Sequence, residues 1–133
     1  VQITFNPKVI SFGRILQIYF SVAHDPTELD YQGPDHGKSY RSEIFFSGPA
    51  QEKVARTYVG QLVAAHVFAA PIVTRIEPLK QFYRAEGYHQ NYLTHHPDSP
   101  YIAHNDLPKI RNLKRLLPNF YRADPVLVTA TAR

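Results

Sequence analysis

The chain has no cysteine and no methionine among its 133 residues. Without cysteine it can form no disulfide, no thiolate metal site and no thiol nucleophile. Without methionine it opens on Val1, whereas translation starts at Met, so a segment before Val1 is expected to have been removed or left out. Long apolar runs are missing too. None nears the roughly 20 residues that a membrane-spanning helix needs. No basic-then-apolar start with a small-residue cleavage site is visible, so no secretory signal is read; the compartment stays open, with a cytoplasmic location favoured. Charge is modest: 20% of residues are charged and 44% are hydrophobic, which reads as globular rather than disordered. The net charge of +4 raises nucleic acid as a partner. However, Lys and Arg are spread along the chain, and the one cluster, Lys109, Arg111, Lys114 and Arg115, reads as a solvated face. Neither nucleic acid nor a membrane is expected as a partner.

What is present is a run of alternating elements. Val1, Ile3 and Phe5 alternate with Gln2 and Thr4, which predicts a strand ended by Asn6-Pro7. Ser11 can cap a helix whose buried face is Phe12, Ile15, Leu16, Tyr19, Phe20 and Ala23, stopping before Pro26. Residues 25–42 are polar, with Pro26, Gly33, Pro34 and Gly37. A loop of that length, leading straight into the apolar strand Glu43-Ile44-Phe45-Phe46, is a good place for a site. Pro49 opens a second helix with Val54, Ala55, Tyr58, Leu62 and Ala65 facing inward. Residues 71–76 predict a third strand, and Phe82 to His95 a third helix with Ala85, Tyr88, His89 and Tyr92 on one stripe. Pro108 to Leu117 could be helical, and Thr129 to Arg133 reads as a frayed tail. The order implies an α/β (α+β) fold: a ferredoxin-like sandwich of helices on a mixed sheet, lacking its first βα unit. Such a sheet would expose an edge and an apolar face, so poor stability is expected of the isolated chain.

Four stretches, taken together, resemble the A-type methionine sulfoxide reductases, peptide-methionine (S)-S-oxide reductases. They are His24-Asp25-Pro26-Thr27 with Gln32-Gly33-Pro34-Asp35-His36-Gly37 and Ser39-Tyr40-Arg41-Ser42; Pro71-Ile72-Val73-Thr74 leading to Phe82-Tyr83; Ala85-Glu86-Gly87-Tyr88-His89-Gln90-Asn91-Tyr92-Leu93; and Tyr101-Ile102-Ala103-His104-Asn105-Asp106-Leu107-Pro108-Lys109. The resemblance runs from Val1 to about Arg122, which implies one domain over 1–122 and a tail over 123–133. Asp30-Tyr31 stands where the family usually has Asn-Arg, and Pro34 where Asn is common. The family's Gly-Cys-Phe-Trp motif, with its nucleophilic Cys, and a catalytic Glu would both lie before Val1.

The resemblance implies reduction of the S-epimer of methionine sulfoxide in peptides and proteins. A thiolate takes the oxygen and becomes a sulfenic acid, and a second thiol resolves it to a disulfide. Thioredoxin or another dithiol would be the reductant, with no bound cofactor. A chain without cysteine cannot run this cycle alone. It can bind and polarise: a phenol, with a pKa of about 10, stays protonated at neutral pH and can donate to the sulfoxide oxygen. By resemblance Tyr40 is that donor, Asp35 helps hold the site, and His89 and Tyr92 border the substrate. Each has a bland reading beside this one: a half-buried tyrosine at a strand start, a turn-forming aspartate beside Gly37, a core histidine next to a packing tyrosine. Glu86 could orient a neighbour or sit in solvent. His24, Asp25, His36, His95, His96 and His104 lack the tight spacing of a metal site, and no metal is expected. The alternative function is a non-catalytic module that binds methionine sulfoxide or a protein partner.

Overall fold

Ser11 sets the first regular element. Its extended backbone and its Oγ, which accepts from the Arg14 N–H at 3.1 Å, cap helix α1, Phe12–Ile18. The helix widens into a π-helical turn, Tyr19–Ala23, and ends at His24, whose backbone is extended one residue before the expected stop. This is a computed structural model, and it describes residues 1–128. The tail expected over Thr129 to Arg133 lies outside the described residues. By contact the chain divides into two units, Val1–Phe82 and Tyr83–Arg133.

The first unit is built on a βαβ element. Strand β3, Glu43–Phe46, runs parallel to β4, Arg75–Pro78, and helix α2, Pro49–Ala64, is the crossover between them. Ile44 faces Ile76 across the pair, and with Leu16, Phe20 and Ala55 it forms the core. Tyr58, Val59, Leu62 and Ile72 pack around it. Each fully buried large side chain contributes about 1.5–3 kcal/mol. Ala55 is 0% exposed, so a larger residue there would overpack the helix interface. The opposite face of the sheet carries Glu43, Arg75 and Glu77, because side chains alternate along a strand.

Three expectations for this unit shift. Residues 1–6 form no strand, although their alternation fits one. Alternation marks two faces, but a strand also needs a neighbour to pair with. The third strand begins at Arg75 rather than at residue 71. Upstream of it, the Val73 N–H is spent on the Pro26 carbonyl at 2.7 Å, and the ladder opens where the Arg75 N–H meets the Ser42 carbonyl. At the second helix, Ala65 is exposed as the C-cap of α2, Val54 is 39% exposed but borders Gly13 of α1, and Val59 joins the inward set.

The second unit is made of short helices: α3, Tyr92–His95, α4, Pro100–Asn105, and α5, Leu107–Leu116, with 3₁₀ turns at Gly87–His89 and Pro118–Phe120. Its one buried apolar side chain among the described residues is Ile102. The helix expected over Phe82 to His95 does not form. Residues 81–86 have no regular structure, and Asn91 takes the left-handed φ of 55°. Two causes are visible. Residues 81–89 are exposed and so have no buried face to carry a helix. The Asn91 amide also makes two bonds with the Val128 backbone, at 2.8 and 3.0 Å, which fixes the break. Among the described residues no helix is long and apolar enough to cross a membrane.

Candidate active site

Residues 25–42 are more ordered than their composition suggests. Pro26 is fully buried, and the Asp25 carboxylate closes the first turn by accepting from the Thr27 N–H and hydroxyl. The Gln32 amide brackets Asp25: its Oε1 accepts from the Asp25 N–H at 3.0 Å, and its Nε2 donates to the Asp25 carbonyl at 2.9 Å. This bracket ties the loop's start to a small antiparallel hairpin of β1, Tyr31–Gln32, and β2, Asp35–His36. Gly33 takes φ 54° at the first turn position, the residue a primed two-residue hairpin turn needs there, and Pro34 follows with its fixed negative φ. Tyr31 and His36 stack at 5.1 Å across the pair.

Gly37, at φ 122°, turns the chain from β2 into the 3₁₀ turn Lys38–Tyr40. The Tyr40 N–H reaches the Gly37 carbonyl at 2.9 Å, and the Gly37 N–H reaches the Asp30 carbonyl at 2.8 Å. The structure therefore brings Asp35 and Tyr40 together on one bracketed hairpin and turn. Asp35 is half-buried and Tyr40 is 45% exposed.

His89 and Tyr92 fall in the other unit, and they do not share a helix. His89 ends a 3₁₀ turn and lies 3.5 Å from Glu86, with both side chains exposed; Tyr92 opens α3 and stacks on His96 at 4.1 Å. The common stripe predicted from their spacing is lost because Asn91 reverses the backbone hand between them.

Two networks support the loop from the first unit. In one, the Ser42 and Thr74 hydroxyls meet at 2.6 Å, joining the end of the loop to the approach to β4. His24 stacks on Tyr19 at 3.7 Å, bonds the Tyr19 carbonyl at 3.0 Å and comes within 3.5 Å of Thr74 Oγ1. Burial pushes the Tyr19 phenol above its ordinary value, against the pull of bonds to Ser42 and the Glu43 carbonyl.

The other network is ionic. Arg41 Nε donates to Glu43 Oε2 at 2.5 Å, and Arg41 Nη1 donates to the Lys38 carbonyl at 2.8 Å. The Glu43 side chain is only 4% exposed, and no donor faces its buried Oε1. Burial, and then the adjacent Glu77 carboxylate, push the Glu43 carboxyl up, against the pull of Arg41. Glu77 is held below its ordinary value, chiefly by the bond with Glu43 and then by Arg75. Sequence reading passed over Arg41 and Glu43, yet a signal existed: a carboxylate that opens an apolar strand needs a cation if it is buried.

The family model for peptide methionine sulfoxide reductase matches residues 1–120. The chain belongs to the peptide methionine sulfoxide reductase family. It is 52% identical over 132 residues to peptide methionine sulfoxide reductase MsrA 2 of Mesorhizobium japonicum, covering 99% of this chain and 68% of that protein. It is 41% identical over 115 residues to MsrA 2 of Synechocystis, covering 86% of this chain and 54% of that one. Among solved structures, Mxr1 from Saccharomyces cerevisiae in reduced form superposes with a TM-score of 0.66 at 39% identity, over 71% of this chain and 51% of that chain. The chain thus spans about half to two thirds of the length of these family members. The mixed helix and strand content agrees with an α/β class.

Proposed function

We propose that the Asp35-to-Tyr40 segment is the oxygen-polarising part of a site that reduces the S-epimer of methionine sulfoxide in peptides and proteins. Family membership supports this, and the carrying observation is the hairpin and 3₁₀ turn that hold Asp35 and Tyr40 on one braced piece of backbone. In this reading a thiolate from outside these 133 residues attacks the sulfinyl sulfur. As the S–O bond breaks, the oxygen gains charge and the Tyr40 hydroxyl donates to it. The oxygen, now protonated, passes to the attacking sulfur as the transient S–S bond breaks, so the thioether leaves and the attacking sulfur becomes a sulfenic acid; a second thiol then displaces water from it to give a disulfide. Thioredoxin or another dithiol then restores the thiols, and no bound cofactor takes part. Asp35 orients the hydrogen-bond network. The βαβ element of β3, α2 and β4 is read as part of a ferredoxin-like sandwich.

The test joins a segment carrying the family's Gly-Cys-Phe-Trp motif and catalytic Glu in front of Val1. The joined protein is expected to consume the S-epimer, and not the R-epimer, only when a dithiol is supplied. Tyr40→Phe is expected to lower kcat by about a hundredfold, the scale of losing one donor to a developing oxyanion. If neither free nor peptide-bound methionine sulfoxide is reduced, the reading fails. Binding of a sulfoxide peptide by the chain, with no turnover in the joined form, would instead favour a binding module.

A further inference from the structure

The inference concerns what fixes Tyr40, and it rests on the reading of Tyr40 as the oxygen's donor. Lys38–Tyr40 is a three-residue turn on an exposed stretch of chain. Its own backbone bonds are few: Tyr40 N–H to the Gly37 carbonyl at 2.9 Å, and Arg41 N–H to the Lys38 carbonyl at 3.3 Å. A hydroxyl that must meet a developing charge needs tighter placement than such a turn gives.

The structure supplies a further anchor. The Lys38 carbonyl accepts a second bond, from the Arg41 guanidinium at 2.8 Å, and that guanidinium is gripped by Glu43. Glu43 is itself fixed, because it heads the core strand β3. Its carbonyl accepts from the Tyr19 hydroxyl at 3.3 Å, and its side chain is buried on the charged face of the sheet. An exposed Arg–Glu pair is worth little, but here one end is held by the core. A planar guanidinium can address a carbonyl and a carboxylate at once, which an ammonium on a flexible stem does poorly.

We propose that Glu43 is a positioning residue for Tyr40: through Arg41 it clamps the Lys38–Tyr40 turn to the core strand. It touches no substrate and acts only through the turn.

The test has two arms. On the 133-residue chain itself, Glu43→Ala is expected to speed hydrogen exchange of the Tyr40 and Arg41 amides by about tenfold while the amides of α2 keep their rates. In the joined, cysteine-bearing form, Glu43→Ala is expected to lower kcat by about tenfold with KM within about twofold. That loss should vanish in a Tyr40→Phe background, since a residue acting through Tyr40 has nothing left to position. Glu43→Gln keeps an acceptor for Arg41 and should stay within about threefold of the parent. Arg41→Lys, a change at the half-exposed end of the pair, should behave like Glu43→Ala. The proposal is overturned if α2 exchanges faster in step with the turn, or if the kcat loss persists undiminished beside Tyr40→Phe. If Tyr40→Phe alone costs nothing, the reading of Tyr40 falls, and the exchange arm still decides whether Glu43 holds the turn.

Discussion

The two compact units solve the problem of order in different ways. In the first, helices α1 and α2 lie on a parallel strand pair, and Leu16, Phe20, Ile44 and Ala55 close a shared core. Its polar loop borrows that order through Pro26, Ser42 and Glu43. In the second, the helices have four, six and ten residues, and among the described residues Ile102 is the one buried apolar side chain, while Tyr83 is 78% exposed. Ordering a residue costs about 1–2 kcal/mol of backbone entropy, so local hydrogen bonds alone offset it poorly without burial. A precise site therefore belongs on the first unit, and the second is the place for local opening.

The largest expected effect sharpens this contrast. Phe20→Ala should cost about 3–5 kcal/mol in urea unfolding followed by the tyrosine signal of the first unit. Ile102→Ala removes the second unit's one buried apolar side chain among the described residues and should cost less, about 2 kcal/mol, read as lost exchange protection over α4 and α5. Equal losses in the two variants would break the comparison.

A smaller effect tests where helix order begins. Ser11→Ala deletes the α1 cap and should cost about 1 kcal/mol, with faster exchange at the Arg14 amide. No change there would mean that packing, and not the cap, sets the start of α1.

The smallest effect depends on pH. The folded chain holds the Glu43 proton more tightly than the unfolded chain, because burial raises that carboxyl's pKa. The stability this gives is fully present below the ordinary value of 4.5 and is lost as pH rises through the raised one. Glu77 runs the other way, its stability present at higher pH and lost on acidification. Glu43→Gln, having no proton to lose, should therefore melt about a few degrees above the parent at pH 7, with the gap closing toward pH 4. A lower melting point at pH 7 would show that the charge pair with Arg41 outweighs the cost of burial.

The sequence was informative where structure is local. Ser11 as a cap, Pro49 in a first turn, the apolar run at Ile44 to Phe46 and the helix after Pro108 all signal themselves within a few residues, and each is there. It misled where the answer depended on distant partners. Val1 to Phe5 alternates without a strand to pair with, β4 takes its start from Ser42, and the Phe82 to His95 pattern yields to Asn91 and its bonds to Val128. The helix α4 has no counterpart in the sequence reading, although Pro100 sits in its first turn, where the missing N–H costs nothing. The proposed roles of Asp35 and Tyr40 rest on motif likeness. The Arg41–Glu43 clamp was not legible, because nothing along the chain says that an acid heading a strand will be buried.

Gly37 carries one more consequence. At φ 122°, an L-residue's methyl group built there would meet no atom within 4 Å beyond the adjacent residues. What excludes alanine is therefore chirality and not room. The mirror image of this backbone is ordinary extended chain, so a D-alanine placed at position 37 by chemical ligation should fit where its L-enantiomer strains the turn.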